Sequence, residues 1–311
     1  MKLAKTFLLF SLIIPLCSCA GFRGPSNGAS ANYNPEAAVL LSRFSDYAYI
    51  KDERELNTAL ALEQPSYLLL RKISESETGY DAQAFVAYND TTIIISVRGS
   101  ELPFISMDWR NNSKYFQYTN ASVSQYCPEA GIHGGFFQSA LRIKNIRNFS
   151  DSAYVFEEIR RLQLEGNRQI YFTGHSLGGA IANLLAMFTA YETDLAVEGV
   201  YTYGEPKGGN VAYQKCHDAR LVDKTFRFIN NRDVVARVRG PGSYIHVGNL
   251  AYFDSKGSLT DINTYSTIGV IVDILTFRFV RDHFLDSYKE LLERNRTVNP
   301  YMQSSSTDSA L

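Results

Sequence analysis

The order of apolar and polar positions divides the chain into an apolar leader, a polar stretch and a long alternation of strands and helices. Thr6 to Leu16 is an apolar run behind Lys2 and Lys5, of signal-peptide length and too short to span a bilayer. Gly21 to Asn32, rich in Gly, Ser, Ala and Asn, reads as a flexible tether. Asn34-Pro35-Glu36 offers an N-cap followed by proline at the first helical position, opening a helix through Tyr49. Leu56 to Leu62 predicts a second helical piece, stopped near Pro65. Tyr67 to Ile73, Ala84 to Tyr88 and Thr92 to Val97 predict strands, with turn signals between them. Thr92-Ile93-Ile94-Ile95-Ser96-Val97 is almost continuous in apolar β-formers, as in a central strand covered on both faces.

From there strands and helices alternate. A helical tract runs from after His133-Gly134-Gly135-Phe136 to Leu164, and strands are expected at Ile170 to Thr173, Gly199 to Tyr203, Thr225 to Ile229 and Tyr244 to Phe253. Asp282 to Arg294 predicts a closing helix, and Met302 to Leu311 a disordered tail. This alternation argues an α/β fold with a mainly parallel central sheet flanked by helices. The expected division is a signal peptide over 1–18, a tether over 19–33, one domain over 34–296 and a tail over 297–311.

The chemistry concentrates at Gln169 to Ala180. There Gly174-His175-Ser176-Leu177-Gly178 joins an apolar strand to a helix rich in Ala and Leu. Gly-x-Ser-x-Gly between a strand and a helix is the setting of a nucleophile elbow. A serine hydroxyl is a poor nucleophile at its ordinary pKa, so it must stand exposed on a tight turn beside a general base. The helix N-terminus adds N–H groups and partial positive charge where an oxyanion would form.

Composition narrows the alternatives. At 311 residues, 45% hydrophobic, with formal charge −1, the chain is ordinary globular protein without the basic excess of a nucleic-acid partner. No CxxC or His/Cys cluster suggests a metal, and no cofactor is called for. Leu16-Cys17-Ser18-Cys19 ends the leader and resembles the lipobox of bacterial lipoproteins, in which the cysteine, here Cys19, is acylated and anchors the protein to a membrane surface. Ala20 after it resembles lipoproteins of the outer membrane; the alternative is an ordinary secretory signal cleaved near Ala20. Cys127 and Cys216 remain, a pair that an oxidising compartment allows to bond.

In α/β-hydrolases the triad runs Ser, acid, His along the chain. Among His133, His175, His217, His246 and His283, that order leaves His246 and His283 as bases if the acid is Asp233, which follows a strand. Arg98-Gly99-Ser100, His133 to Phe136, Gly174 to Gly179, Tyr201 to Pro206 and Asn230 to Val234 together resemble class 3 lipases, the fungal-lipase-like family, in that family's order and over roughly Tyr67 to Tyr288. The resemblance implies an α/β-hydrolase fold and ester hydrolysis, with Ser176 as nucleophile, Asp233 as acid and His283 as base. It implies oxyanion donors at Ser100 and at the Leu177 backbone N–H, and a lid over the segment carrying Leu102, Phe104, Ile105 and Trp109. His133 and His246 match non-catalytic positions beside the site. Two departures stand out: Glu205 replaces the usual Gln, and no proline follows Asp233-Val234-Val235 at the usual place.

The expected function is a serine carboxylic ester hydrolase, a lipase or phospholipase acting on lipid esters. The rivals are a soluble-ester or feruloyl-type esterase, and a catalytically silent lipoprotein that binds lipid on the same scaffold.

Overall fold

The computed structural model describes residues 28–74, 82–100, 117–118, 121–147, 154–237, 244–262 and 279–302. Ala29–Asn32 make one helical turn (α1), and Pro35–Tyr47 form α2, opened by Asn34 Oδ1 accepting the Ala37 N–H at 3.1 Å. After Glu53–Leu62 (α3), strands Leu68–Ile73 (β1), Ala84–Tyr88 (β2) and Thr92–Val97 (β3) pair antiparallel in sequence order. Gln117–Tyr118 (β4) and Ile132–His133 (β5) form a small ribbon around the turn of helix Ala121–Ser124 (α4). Gly134–Lys144 (α5) and Val155–Gly166 (α6) divide the single helical tract expected to run to Leu164.

Gln169–His175 (β6), Leu177–Glu192 (α7), Val197–Tyr203 (β7), Val211–Leu221 (α8) and Thr225–Asn230 (β8) continue the alternation. Asn249–Phe253 (β9), Leu259–Thr260 (β10), Phe279–His283 (α9) and Leu285–Arg294 (α10) complete it. Among the described residues the main sheet has the order β1-β2-β3-β6-β7-β8-β9-β10. From β3 to β9 every pairing is parallel, and β10 closes the edge antiparallel to β9. The mainly parallel sheet expected from the sequence is therefore the sheet observed.

Alternation within the strands sorts side chains into two cores. Ile93, Ile95, Val97, Ile170, Phe172 and Val200 pack on one face against α5, α6 and α7. Ile94, Tyr201, Tyr203, Phe226 and Phe228 pack on the other with α2, α3 and α10. Every residue of α7 from Gly178 to Thr189 is buried, which explains a helix with no polar stripe in its sequence. Ser96 and Thr173 are polar positions inside this packing. Ser96 Oγ donates to the Phe44 carbonyl at 2.9 Å, and Thr173 Oγ1 lies 2.9 Å from Ser45 Oγ, so both hydroxyls are used to dock α2 on the sheet.

Four boundaries differ from the sequence reading. The packed domain begins inside the expected tether: Ala29 and Tyr33 are buried, with Tyr33 edge-on to Phe226 and Tyr301. It also extends into the expected tail, because Tyr301 itself is buried in that aromatic cluster. Tyr244 to Gly248 is not a strand; Gly248 turns at φ 65° and β9 begins only at Asn249, where β8 offers a partner. The expected closing helix is broken at Phe284, whose extended backbone (φ −63°, ψ 138°) separates α9 from α10. Cys127 and Cys216 form a disulfide across 89 positions of sequence, tying the segment before β5 to α8.

Candidate active site

The C-terminal ends of β3, β6, β7 and β8 lie side by side, and the singled-out residues follow them. In a parallel sheet these ends are where a site is built. Ser176 stands between β6 and α7 with φ 56° and ψ −130°, a left-handed conformation that costs a residue bearing a side chain about 1–3 kcal/mol. Its N–H donates to the Tyr203 carbonyl at 2.8 Å, which fixes the turn to the end of β7. Gly99, two residues beyond β3, lies directly against it: a Cβ there would come within 2.5 Å of the His175 carbonyl and 3.2 Å of Ser176 Cβ. Ser100 is therefore delivered to the edge of the serine turn, and Leu177 opens α7 on its other side with the unsatisfied amides of a helix start.

Asp233 is fully buried in the turn after β8. Both its oxygens lie 2.8 Å from His283 Nδ1; Oδ1 also accepts the Val235 N–H at 2.9 Å, and Oδ2 accepts the Tyr288 hydroxyl at 2.6 Å. Tyr288 OH in turn accepts the Asn230 N–H at 2.9 Å. Three protein donors thus converge on one carboxylate, the requirement for keeping a charge inside a protein. His283 ends α9, and the break at Phe284 lets its ring face Asp233 while Leu285, Tyr288 and Leu292 turn into the core. Asn230 Nδ2 donates to the Asp282 carbonyl at 3.0 Å and the Arg232 N–H to Asp282 Oδ2 at 3.2 Å, so the acid's turn and the histidine's helix hold each other.

The ring of His283 also borders the serine strand. A Cβ on Gly204, at φ 63°, would lie 2.7 Å from Asp233 Oδ2 and 2.9 Å from His283 Cε1. Gly204 directly follows Tyr203, whose carbonyl accepts the Ser176 N–H, so the serine turn and the Asp233–His283 pair adjoin the same strand end. Only a residue without a side chain leaves room for the pair. With Nδ1 facing a carboxylate, a neutral imidazole would carry its proton there and leave Nε2 as its acceptor nitrogen. A strained serine, a helix start and a buried Asp–His pair constitute the parts needed for nucleophilic acyl transfer.

The other histidines have structural partners. His133 Nδ1 accepts the Phe136 N–H at 3.3 Å as the cap of α5, and burial lowers its pKa to about 4. His246 lies outside any strand, half-buried, with Nε2 2.7 Å from the Ala236 carbonyl; burial, and then Arg227, push its pKa down. That contact braces the helical turn Val235–Arg237 immediately after the acid. His175 is buried with Nδ1 2.9 Å from Tyr49 OH and Nε2 2.7 Å from the His283 carbonyl. Glu205 accepts from Thr202 Oγ1 at 2.5 Å and Asn183 Nδ2 at 2.6 Å, and burial raises its pKa to about 7.

Tyr288 and Tyr49 are site neighbours that no local sequence pattern marks. Tyr288 lies five positions after His283 and reads only as one apolar-face residue of the last helix. The expected lid residues Leu102, Phe104, Ile105 and Trp109 lie outside the described residues, as does Cys19. Among the described residues no group of His, Cys, Asp and Glu is placed to hold a metal.

A serine turn after the second of the parallel strands, an acid after the fourth and a histidine beyond the sheet make this an α/β-hydrolase fold. Residues 94–242 match the model of the lipase (class 3) family. A secreted mono- and diacylglycerol lipase of Malassezia restricta is 26% identical over 147 residues, 47% of this chain and 46% of that protein. A lipase of Caenorhabditis elegans is 27% identical over 259 residues, 82% and 66% of the two chains. The chain thus spans from about half to just under two thirds of these curated relatives. The Rhizomucor miehei triacylglyceride lipase structure superposes with a TM-score of 0.60 at 20% identity, covering 85% of this chain and 99% of that one. This last likeness concerns the fold.

Proposed function

We propose that the chain is a serine carboxylic ester hydrolase acting on lipid esters. The observation that carries this reading is the strained Ser176 turn, tied to the end of β7 beside the buried Asp233–His283 pair at Gly204. In this scheme His283 takes the proton of Ser176, Asp233 holds the tautomer, and Ser176 attacks the ester carbonyl. The backbone N–H groups of Ser100 and Leu177 receive the oxyanion. Its collapse breaks the ester C–O bond and expels the alcohol, which takes the proton from His283, and water, activated by the same histidine, releases the acyl group. The named relatives, a mono- and diacylglycerol lipase and a lipase, support lipid esters over small soluble ones, with glycerides first.

The test is labelling by a fluorophosphonate probe. Labelling at Ser176, lost in Ser176→Ala, is expected; absence of labelling in folded protein would favour the silent lipid-binding scaffold. Turnover compared on emulsified glycerides, phospholipid vesicles and short soluble or feruloyl esters then identifies the substrate class. A rate that jumps as a glyceride passes its solubility limit would support the lid reading of Leu102 to Trp109, since large apolar groups gain from burial at a lipid surface.

The leader adds a location. Acylation of Cys19 would hold the enzyme at a bacterial cell envelope, at the outer membrane on the reading of Ala20, because two or more chains at ~0.8 kcal/mol per buried CH₂ anchor stably. Mass spectrometry of the mature terminus separates this from simple secretion. An unmodified terminus near Gly21 would establish the secreted form.

A further inference from the structure

We infer that Tyr49 and His175 form a positioning pair that fixes the main chain of His283 and the end of β3 relative to the serine turn. The inference rests on the hydrolase reading above. His175 precedes Ser176, and its ring is buried with both nitrogens engaged. A carbonyl can only accept, so the contact of Nε2 with the His283 carbonyl at 2.7 Å requires the proton on Nε2. Burial, and next the nearby His283 ring, hold the pKa of His175 down to about 3, so the ring is neutral and Nδ1 must accept. Tyr49 OH, 2.9 Å away, is then the donor. One tautomer satisfies both contacts: the carbonyl demands it, and the phenol supplies the donor that Nδ1 then needs.

The pair reaches three parts of the site at once. Through Nε2–H it holds the carbonyl of the residue whose side chain is the base, and the two imidazoles lie 4.7 Å apart. Through the chain it is one residue from Ser176. Through Tyr49 it touches the segment carrying Ser100: the phenolic oxygen would sit 2.5 Å from a Cβ on Gly99, and the Arg98 guanidinium lies 5.6 Å from the Tyr49 ring. Tyr49 is itself anchored, its N–H donating to the Asp46 carbonyl at 3.0 Å just past α2, while Lys72 Nζ donates to the next carbonyl, Ile50, at 2.8 Å. Base, nucleophile turn and oxyanion segment come from three distant stretches of sequence, and this pair is a bonded route between them. Without the phenol, the buried Nδ1 lone pair loses its donor, and the ring loses the contact that holds its Nε2–H on the His283 carbonyl.

The test uses the full chain and a short-chain soluble p-nitrophenyl ester, with kcat, KM and melting temperature measured for Tyr49→Phe, His175→Leu, His175→Gln and Tyr49→Phe/His175→Leu. A misplacement of about 1 Å in a catalytic group can cost on the order of 10²-fold, so kcat should fall roughly 10- to 100-fold in His175→Leu and about 10-fold in Tyr49→Phe, with KM nearly unchanged. His175→Gln keeps an N–H donor near the Nε2 position and should recover much of the loss. In the double variant the tyrosine change should add little, because the two act through one contact. Unchanged kcat in both single variants, or additive losses without rescue by glutamine, would overturn the inference while leaving a Ser176-dependent enzyme intact. If His175→Leu does not fold, Tyr49→Phe, which deletes one oxygen, decides alone by its kcat. A wild-type protein that neither turns over esters nor takes up the fluorophosphonate would instead reject the hydrolase reading and this pair's role with it.

Discussion

Tyr288 donates to Asp233 Oδ2 at 2.6 Å and accepts from the Asn230 N–H at 2.9 Å, so one phenol on the last long helix fixes both a carboxylate and the strand end that leads to it. Its hydroxyl is fully buried, so neither partner can turn to water if it is removed. Tyr288→Phe should therefore cost about 1–3 kcal/mol of stability, the penalty of leaving buried polar groups unpaired. Activity should fall less than for loss of the acid itself, since His283 and the Val235 N–H still hold Asp233. Denaturant unfolding and kcat measured on one preparation check both halves. Stability equal to wild type would show that the phenol is not a needed partner.

Ser176→Gly should separate function from strain. At φ 56° and ψ −130° glycine is at ease and serine is not, so this variant should gain about 1 kcal/mol relative to Ser176→Ala, which keeps the strained Cβ. Both should lose essentially all hydrolysis, on the order of 10⁶-fold in a comparable triad. Melting temperatures give the ranking, and an alanine variant more stable than the glycine one would mean that the turn is relaxed.

His283→Ala should remove nearly all activity, while His246→Ala should leave a measurable remainder. His283 Nδ1 lies on the acid, whereas His246 reaches only the Ala236 carbonyl, three residues past it. The expected loss for His246→Ala is thus one through the shape of the acid's turn. Steady-state kinetics on folded proteins test it, and the opposite ranking would move the base.

Much of this arrangement is legible along the sequence because its signals are local. The run Thr92–Val97 is a strand in any setting that buries both faces, and Asn34-Pro35 marks a helix start by its own chemistry. Gly174 to Gly179 likewise shows its turn through spacing alone. What local pattern misses is set by partners far away in the chain. Tyr244 to Val247 has strand-forming residues, but β8 pairs only from Asn249 on, after the turn at Gly248. Tyr33 and Tyr301 look like the ends of floppy segments and are ordered by packing on Phe226. Tyr288, which donates to Asp233, and Tyr49, which meets the His175 ring, carry no motif.

Glu205 makes a pH-dependent liability at a position where the resemblance leads one to expect glutamine. Its carboxyl lies under α7, accepting from Thr202 and Asn183, with its Cβ about as near as a Cβ on Gly179 could tolerate, 3.1 Å. Burial raises its pKa from 4.5 to about 7, against the donors and the distant Arg227 charge, which favour the ionised form. The folded state therefore binds the proton more tightly than the unfolded chain, and stability must fall as pH rises from the unfolded value of about 4.5 through about 7. Glu205→Gln removes that titration. Whatever the substitution does at pH 4.5, the stability of the variant relative to wild type should rise by ~3 kcal/mol between there and pH 8, at 1.36 kcal/mol per unit of pKa. Urea unfolding of both proteins at pH 4.5, 6 and 8 measures this difference directly. A difference that stays flat across the series would mean that Glu205 titrates as an ordinary carboxylate, and that the space beneath the serine helix is wetter than its packing indicates.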